Sequence, residues 1–386
     1  MVRTLPGGRR LSQGKTIELR LCERVKDIPQ AEWDALAEAD PSPFVEWTWL
    51  DCLEEAGCVG GDTGWQPLHF SLYEDGRLLA LAPAYAKTNS EGEFVFDWAW
   101  ADASQRAGVP YYPKLVLAVP FTPATGGRVL ALPGPHAAET VRVMATAVKQ
   151  WMAEVGVSGT HVLFPGAEEA TLWKDAGFSE RHGVQYHWQR DGATSFDGFL
   201  GRFNSKRRNQ LRREAAQPAK DGVTLSTLGP DELTPDVVRT MFELYASNVD
   251  KHYYGRRYLN ARFFELVAER FAHRLAWVVA RQEGRIVAGA FNVRKGARLY
   301  GRYWGTKVDL PFLHFNVCYY EGIRYCLDQG IDTFEPGAGG EHKKARGFDP
   351  TLTRSAHWIA DGRLRRAIDA FLAREREAIR EYIEAK

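Results

Sequence analysis

The pattern of apolar and polar positions along this chain occurs twice. Leu68–Lys87 reads LHFSLYEDGRLLALAPAYAK, and Ala276–Lys295 reads AWVVARQEGRIVAGAFNVRK. Aligning Gly76-Arg77 on Gly284-Arg285 also pairs Ala80 with Ala288, Ala82 with Ala290 and Lys87 with Lys295. Strand-like runs at His69–Tyr73 and Leu78–Tyr85 flank Asp75-Gly76, a strong turn signal, and predict a β-hairpin. A second echo follows in each half. FPGAEEATLWKDAGF (Phe164–Phe178) parallels FEPGAGGEHKKARGF (Phe334–Phe348), each running from a strand-like Phe to a closing Gly-Phe. Two echoes in the same order predict tandem α/β domains of one type. The first half carries more chain between its landmarks, within residues 88–163, and that extra chain is rich in Trp, Tyr and Phe. Long inserted loops of ordered composition are usually functional.

The remaining pattern predicts further elements. Alternation marks Ile17–Cys22 as a strand, and Phe94–Trp98 reads as an aromatic strand. Val141, Met144, Ala145, Val148 and Met152 form a helical stripe within Ala138–Val155. His161–Phe164 reads as a buried strand, and Val184–Trp188 as a segment opening the second half. Helices are expected at Pro29–Ala39, Trp47–Ala56, Phe199–Glu214, Val237–Asn248, Tyr258–Ala272 and His314–Gln329. Strands are expected at Ala276–Arg281, Ile286–Arg294, Leu299–Trp304 and Ile331–Phe334. Leu364, Ile368, Phe371, Leu372, Ile379 and Ile383 predict a final amphipathic docking helix. The expected division is a disordered basic tail at 1–16, domains at 17–182 and 183–361, and the docking helix at 362–386. Gly8–Thr16 superficially resembles a phosphate loop, but Arg9 stands where glycine is required and no strand precedes it.

Composition narrows the function classes. With 386 residues and a net charge of +1, the chain carries no global field suited to nucleic acid or membrane, so any basic site is local. Five scattered cysteines form neither a disulfide framework nor a zinc site. A reducing, cytoplasmic setting is expected, with no membrane span and no metal. No G-x-S-x-G or H-E-x-x-H motif supports a hydrolase or a zinc protease.

The order of the second half, helices followed by three antiparallel strands, a helix and a fourth strand, is that of GNAT-type acyltransferases. GEFVFDWAW, YYPKL, PFTPATG, YGRYWG, LHFNVCYY and FEPGAGGEHKKARGF together resemble the FemAB-like N-acyltransferases over residues 17–372. That resemblance implies an α/β fold of two tandem GNAT-like domains with mixed sheets. It also implies transfer of an acyl or aminoacyl group to an amine, on a small molecule, peptide or cell-wall precursor. A non-catalytic peptidoglycan- or peptide-binding module is the alternative, as is a tailoring enzyme that draws on aminoacyl-tRNA. The Q/R-x-x-G-x-G/A signature that holds acetyl-CoA is missing from Gly305–Phe315. Acetyl-CoA is therefore not the expected donor, and the resemblance implies aminoacyl-tRNA in its place, a co-substrate rather than a cofactor.

Amide formation needs a base for the amine, donors for the oxyanion and a site for the leaving group. His342 and Glu341, on a glycine-rich loop, are candidates for base and orienting group, and Lys343 for substrate binding. His314, Cys318, Glu321 and Tyr325 share one helical stripe, with His314 in the first turn, where the dipole would keep it neutral. With His342, Glu341 and His314, Asp97 on its aromatic segment is a fourth catalytic candidate, since a carboxylate there must be paired or functional. Tyr111, Tyr112, Lys114, Arg302 and Trp304 are candidate substrate contacts, lining an expected cleft between the domains. Lys206, Arg207, Arg208 and Arg212 crowd one helix without a matching number of carboxylates, and predict a phosphate or tRNA site.

Overall fold

The structure, a computed structural model, describes residues 17–251 and 255–385. The tail and the phosphate-loop lookalike lie outside the described residues. The described residues form two compact units, one lying within 17–184 and 352–385 and the other within 185–351.

Unit 1 begins with β1 (Ile17–Cys22), α1 (Gln30–Ala37) and α2 (Trp47–Glu55). Strands β2 (Trp65–Pro67), β3 (His69–Glu74), β4 (Arg77–Ala82) and β5 (Ala84–Lys87) follow. Then come α3 (Trp98–Arg106), β6 (Lys114–Leu117), β7 (Leu130–Ala131), α4 (Ala137–Val155), β8 (Gly159–Leu163) and α5 (Ala167–Asp175). One sheet has the order β1-β3-β4-β7. Pro83 separates β4 from β5, as expected of a residue that cannot donate to the ladder, and β5 pairs with β6 in a second sheet. The predicted stripe of α4 is buried against Phe70, Leu72, Ala80, Leu115 and Val162. Each such side chain contributes roughly 1.5–3 kcal/mol.

Unit 2 uses the end of β9 (Ser179–Gln189), then α6 (Phe196–Leu200), α7 (Ser205–Lys220), β10 (Val223–Thr227), α8 (Pro235–Asp250) and α9 (Ala261–Arg270). Strands β11 (Val278–Gln282), β12 (Arg285–Lys295) and β13 (Arg298–Thr306) are antiparallel neighbours. α10 (Leu313–Phe315) runs through a π turn, Asn316–Tyr320, into α11 (Glu321–Gln329). β14 (Thr333–Glu335) then pairs parallel with β13 and antiparallel with β9. The second domain was expected to reach residue 361. Instead β15 (Asp349–Ile359) returns to unit 1, because Ser355–Ile359 pair with Leu163–Gly159 of β8. α12 (Gly362–Glu384) docks there as predicted, through Leu364, Ile368 and Leu372 against Trp100 and Tyr111, while Phe371 stays exposed.

The duplication is real at the level of register. In β3–β4, Phe70 faces Ala82, Glu74 faces Arg77, and the register slips at Leu72/Tyr73. In β11–β12, Val278 faces Ala290, Gln282 faces Arg285, and the slip is at Ala280/Arg281. Both turns use positive φ, at Asp75-Gly76 and Glu283-Gly284. β6 and β8 run parallel, as do β13 and β14. The second echo diverges: Ala167–Asp175 is α-helical, whereas Glu341–Arg346 is a 3-10 turn. Both still close with a left-handed glycine, Gly177 or Gly347.

Two expected elements differ from the structure. Phe94–Trp98 is not a strand; Phe94 takes φ +59° and Asp97 precedes α3. The basic helix is α7, and Pro218 lies within it rather than breaking it. Proline has no N–H for the carbonyl four residues back. That carbonyl, of Glu214, instead accepts from Nδ2 of Asn316 at 2.9 Å.

Candidate active site

β13 and β14 pair at Arg298–Thr333, Leu299–Phe334 and Tyr300–Glu335, and then part. A cavity of about 280 Å³ opens where they separate. Its walls are Gly301–Trp304 of β13, Ala290 and Asn292 of β12, and Tyr245, Asn248 and Val249 of α8. His314, Cys318, Tyr319, Pro336–Gly340, His342 and Lys343 complete it. Every one of these residues belongs to unit 2. In unit 1 the equivalent strand end is bonded by inserted chain. Gly126 donates to the Phe164 carbonyl at 3.2 Å, and the buried Arg128 donates through Nε to the Leu163 carbonyl at 2.6 Å.

Local backbone features shape the cavity. Phe291 pairs with Tyr303 and Asn292 with Gly301, so Arg302 is the extra residue of a bulge. Bulges bend a strand and re-aim its side chains. A Cβ on Gly301 would lie 3.1 Å from Cα of Pro336, so glycine lets the loop after β14 approach β13. The π turn brings consecutive residues Cys318 and Tyr319 to the wall, a distortion common at functional sites.

Lys343 is 3 % exposed, and its Nζ donates to the carbonyls of Gly337 (2.7 Å) and Ala338 (3.3 Å). Burial lowers its ammonium from the ordinary 10.5 to about 8. The hydroxyl of Tyr319 lies 2.9 Å from Nε2 of His342. Burial, then Arg346 and Lys343, lower the His342 pKa below 6.5, so the ring is neutral at pH 7. His314 packs against Trp304 at 4.4 Å between ring centres with the rings tilted by 41°, and its ring centre is 5.9 Å from that of His342. Its pKa falls to about 4, first through burial and then through His342, Lys343 and Arg346, so burial does what the helix dipole was expected to do. Burial pushes the Cys318 thiol far above its usual range, which leaves it a poor nucleophile.

The structure thus brings together His314, His342, Lys343, Arg302 and Trp304. Glu341 is exposed and does not line the cavity, and neither do Glu321 and Tyr325. Asp97, Tyr111, Tyr112 and Lys114 are not part of it either, because they pack inside unit 1. There the buried Asp97 carboxylate pairs with Lys114 and accepts from the Tyr111 hydroxyl at 2.6 Å. Lys114 also donates to Glu93 at 2.9 Å and to Ser90 at 3.2 Å, and Ser90 bonds the Tyr112 hydroxyl at 2.7 Å. Burial alone would raise Asp97, but the Lys114 ammonium holds it at about 2. Burial pushes Glu93 up to about 7. This is a buried ion network, not a substrate wall.

The basic helix is also corrected in part. Arg207 donates through Nε to the Ala345 carbonyl at 2.7 Å, and Arg212 pairs with Asp197 at 3.0 Å. Lys206 is exposed and Arg208 half-buried, with no ion pair to either among the described residues. Buried Glu214 on the same helix accepts from Tyr320 (2.6 Å) and pairs with Arg346 (3.0 Å). α7 therefore holds the 3-10 turn that carries His342 and Lys343. Sequence reasoning missed Tyr319, Asn292 and Asn248; the π turn brings the first to the cavity, the β12–β13 bulge lies at the second, and the packing of α8 supplies the third.

Comparison with known proteins gives one family. A model of FemAB-like proteins, described as peptidoglycan biosynthesis/recognition, matches residues 24–386. No curated protein matches the sequence. The crystal structure of FemX is similar at 12 % identity and a TM-score of 0.55, over 89 % of this chain and 98 % of that one. The C-terminal DUF2156 domain of a protein assigned as a lysylphosphatidylglycerol synthetase from Agrobacterium fabrum is similar at 11 % identity and a TM-score of 0.55. It covers 88 % of this chain and 94 % of that one. At such identities the likeness is one of fold. No helix among the described residues is long and apolar enough to cross a membrane.

Proposed function

Because the chain belongs to the FemAB-like family, we propose that it is an acyl- or aminoacyltransferase that forms an amide on an amine acceptor, with aminoacyl-tRNA as the donor. The observation that carries this reading is the meeting of neutral His342, Tyr319 and the cationic Lys343 in one cavity at the parted ends of β13 and β14. In the proposed step the acceptor nitrogen attacks the ester carbonyl and a C–N bond forms. The carbonyl electrons move onto oxygen, where the Lys343 ammonium offsets the charge. His342 takes the proton that the nitrogen loses. Collapse re-forms the carbonyl and breaks the C–O bond, and the proton passes to the leaving ribose hydroxyl. Two cations and no carboxylate among the lining residues suit a developing oxyanion.

The family description, peptidoglycan biosynthesis/recognition, supports a cell-wall acceptor; an amine-bearing peptide precursor is the proposed partner. The test is incubation with tRNA charged with labelled amino acids and an amine-bearing cell-wall peptide, read by mass spectrometry. A new amide that needs both partners and disappears in Lys343→Met supports the reading. Transfer from acetyl-CoA but not from tRNA would overturn the choice of donor. Saturable peptide binding with no amide from any donor would make the protein a recognition module.

A further inference from the structure

The cavity holds two carboxamides that the proposed chemistry leaves unused. Asn292 is 2 % exposed, lies at the β12–β13 bulge and lines the cavity; Asn248 of α8 lines it too and is half-buried. Among the described residues neither side chain has a hydrogen-bond partner in the protein. Oδ1 of Asn292 lies 3.4 Å from the point where Gly301 would carry a Cβ, beside the open strand ends. Phe291 and Val293 on either side of it pack in the apolar interior. The Asn292 amide is not sealed in the interior but opens onto the cavity, where a ligand can pair with it.

The cavity, at about 280 Å³, falls just under the ~300–1,000 Å³ of complete small-molecule sites. That is room for a small acyl group. We propose that Asn292 and Asn248 are specificity residues that read a small, neutral, hydrogen-bonding acyl group, bearing a hydroxyl or an amide, and discriminate against an aliphatic group of similar size. This rests on the acyl-transfer reading of the cavity. A site built to pair with a polar group loses that pairing when an apolar isostere binds, and such sites discriminate strongly.

The experiment uses full-length protein and the variants Asn292→Leu and Asn248→Leu. Thermal melting without ligand comes first. Asn292→Leu should keep or raise the melting temperature, because the amide has no protein partner to give up; a fall of more than about 3 °C, or failure to fold, would make Asn292 structural and overturn its role. Asn248→Leu carries the same test at a half-buried helix position. Melting is then repeated with N-acetyl-L-serinamide and with N-acetyl-L-alaninamide. The unaltered protein should be stabilised more by the serine compound, and each variant should lose that preference. Equal stabilisation of the unaltered protein by both compounds would overturn the proposal. With seryl- and alanyl-tRNA as donors, the seryl preference should drop by about tenfold or more in Asn292→Leu. If no donor is used at all, the acyl-transfer reading fails, and the two amide compounds still decide the recognition claim.

Discussion

The Tyr319 hydroxyl sits 2.9 Å from Nε2 of His342, so a phenol stands where the sequence pointed to the carboxylate of Glu341. Burial raises the Tyr319 pKa, and the phenol stays protonated through neutral pH. It orients the imidazole without adding charge. His342→Gln should lower kcat by roughly 10²–10⁴-fold if the ring is the base. Tyr319→Phe should cost less and leave the pH profile in place. Steady-state kinetics of both variants check this, and a Tyr319→Phe loss equal to that of His342→Gln would make the pair a single functional unit.

Transfer should follow a bell-shaped pH curve. The acid limb belongs to His342, whose lowered pKa places it below 6.5, and the alkaline limb to Lys343 at about 8. Lys343→Met should remove the alkaline limb and lower kcat by roughly 10²–10³-fold. An alkaline limb that survives in Lys343→Met would assign it to another group. Stability provides a second reading. Between pH 8 and the ordinary lysine pKa of 10.5 the unfolded chain holds the proton that folded Lys343 has lost, so this residue's contribution to stability rises with pH there.

The Asp97–Lys114 pair should matter to folding rather than to catalysis. Asp97, Lys114 and Glu93 are all buried: Lys114→Met strips Asp97 and Glu93 of their shared cation and should destabilise by roughly 3–5 kcal/mol, whereas Asp97→Asn leaves Lys114 paired with Glu93 and should cost less. The double variant should recover part of that loss. Urea unfolding measures it, and additive single losses would deny the coupling. Asp97 is held at about 2 against the usual 3.8, so its contribution is complete above pH 3.8 and disappears as the pH falls through 2.

On α7 the four basic residues should separate into two kinds. Arg207→Ala releases the Ala345 carbonyl and should lower kcat by loosening the turn that carries His342 and Lys343. Lys206→Ala with Arg208→Ala should leave the fold intact and weaken tRNA binding. The log–log salt slope should flatten by roughly 0.7–0.9 for every phosphate that is no longer neutralised. Arg212→Ala removes an exposed pair with Asp197 and should change stability little. Unchanged tRNA binding across a salt titration in the Lys206/Arg208 double variant would reduce this face to solvated surface.

Local pattern carried much of the fold. Asp75-Gly76 and Glu283-Gly284 announce matching hairpins, and these have the same register and the same slip, because turn chemistry and two-residue alternation are short-range properties. The α4 stripe and the docking face of α12 were equally legible, since a helical period encodes which face is buried. His314, His342, Lys343, Arg302 and Trp304 could be named from the sequence as candidates, and the structure collects them at one cavity. Asp97 could be recognised as a carboxylate in need of a partner, but its partner is Lys114 inside unit 1, and chain distance gives no measure of that pairing. Asn292 and Tyr319 had no sequence signal: a bulge at Arg302 and a π turn at Asn316–Tyr320 aim them, and both are irregularities that depend on packing between distant elements. Repeat, hairpins and amphipathic faces are written in neighbouring residues. Which repeat keeps an open cavity depends on what fills the parted strands, and only the tertiary structure shows Arg128 bonded to the strand end in one unit and an open cavity in the other.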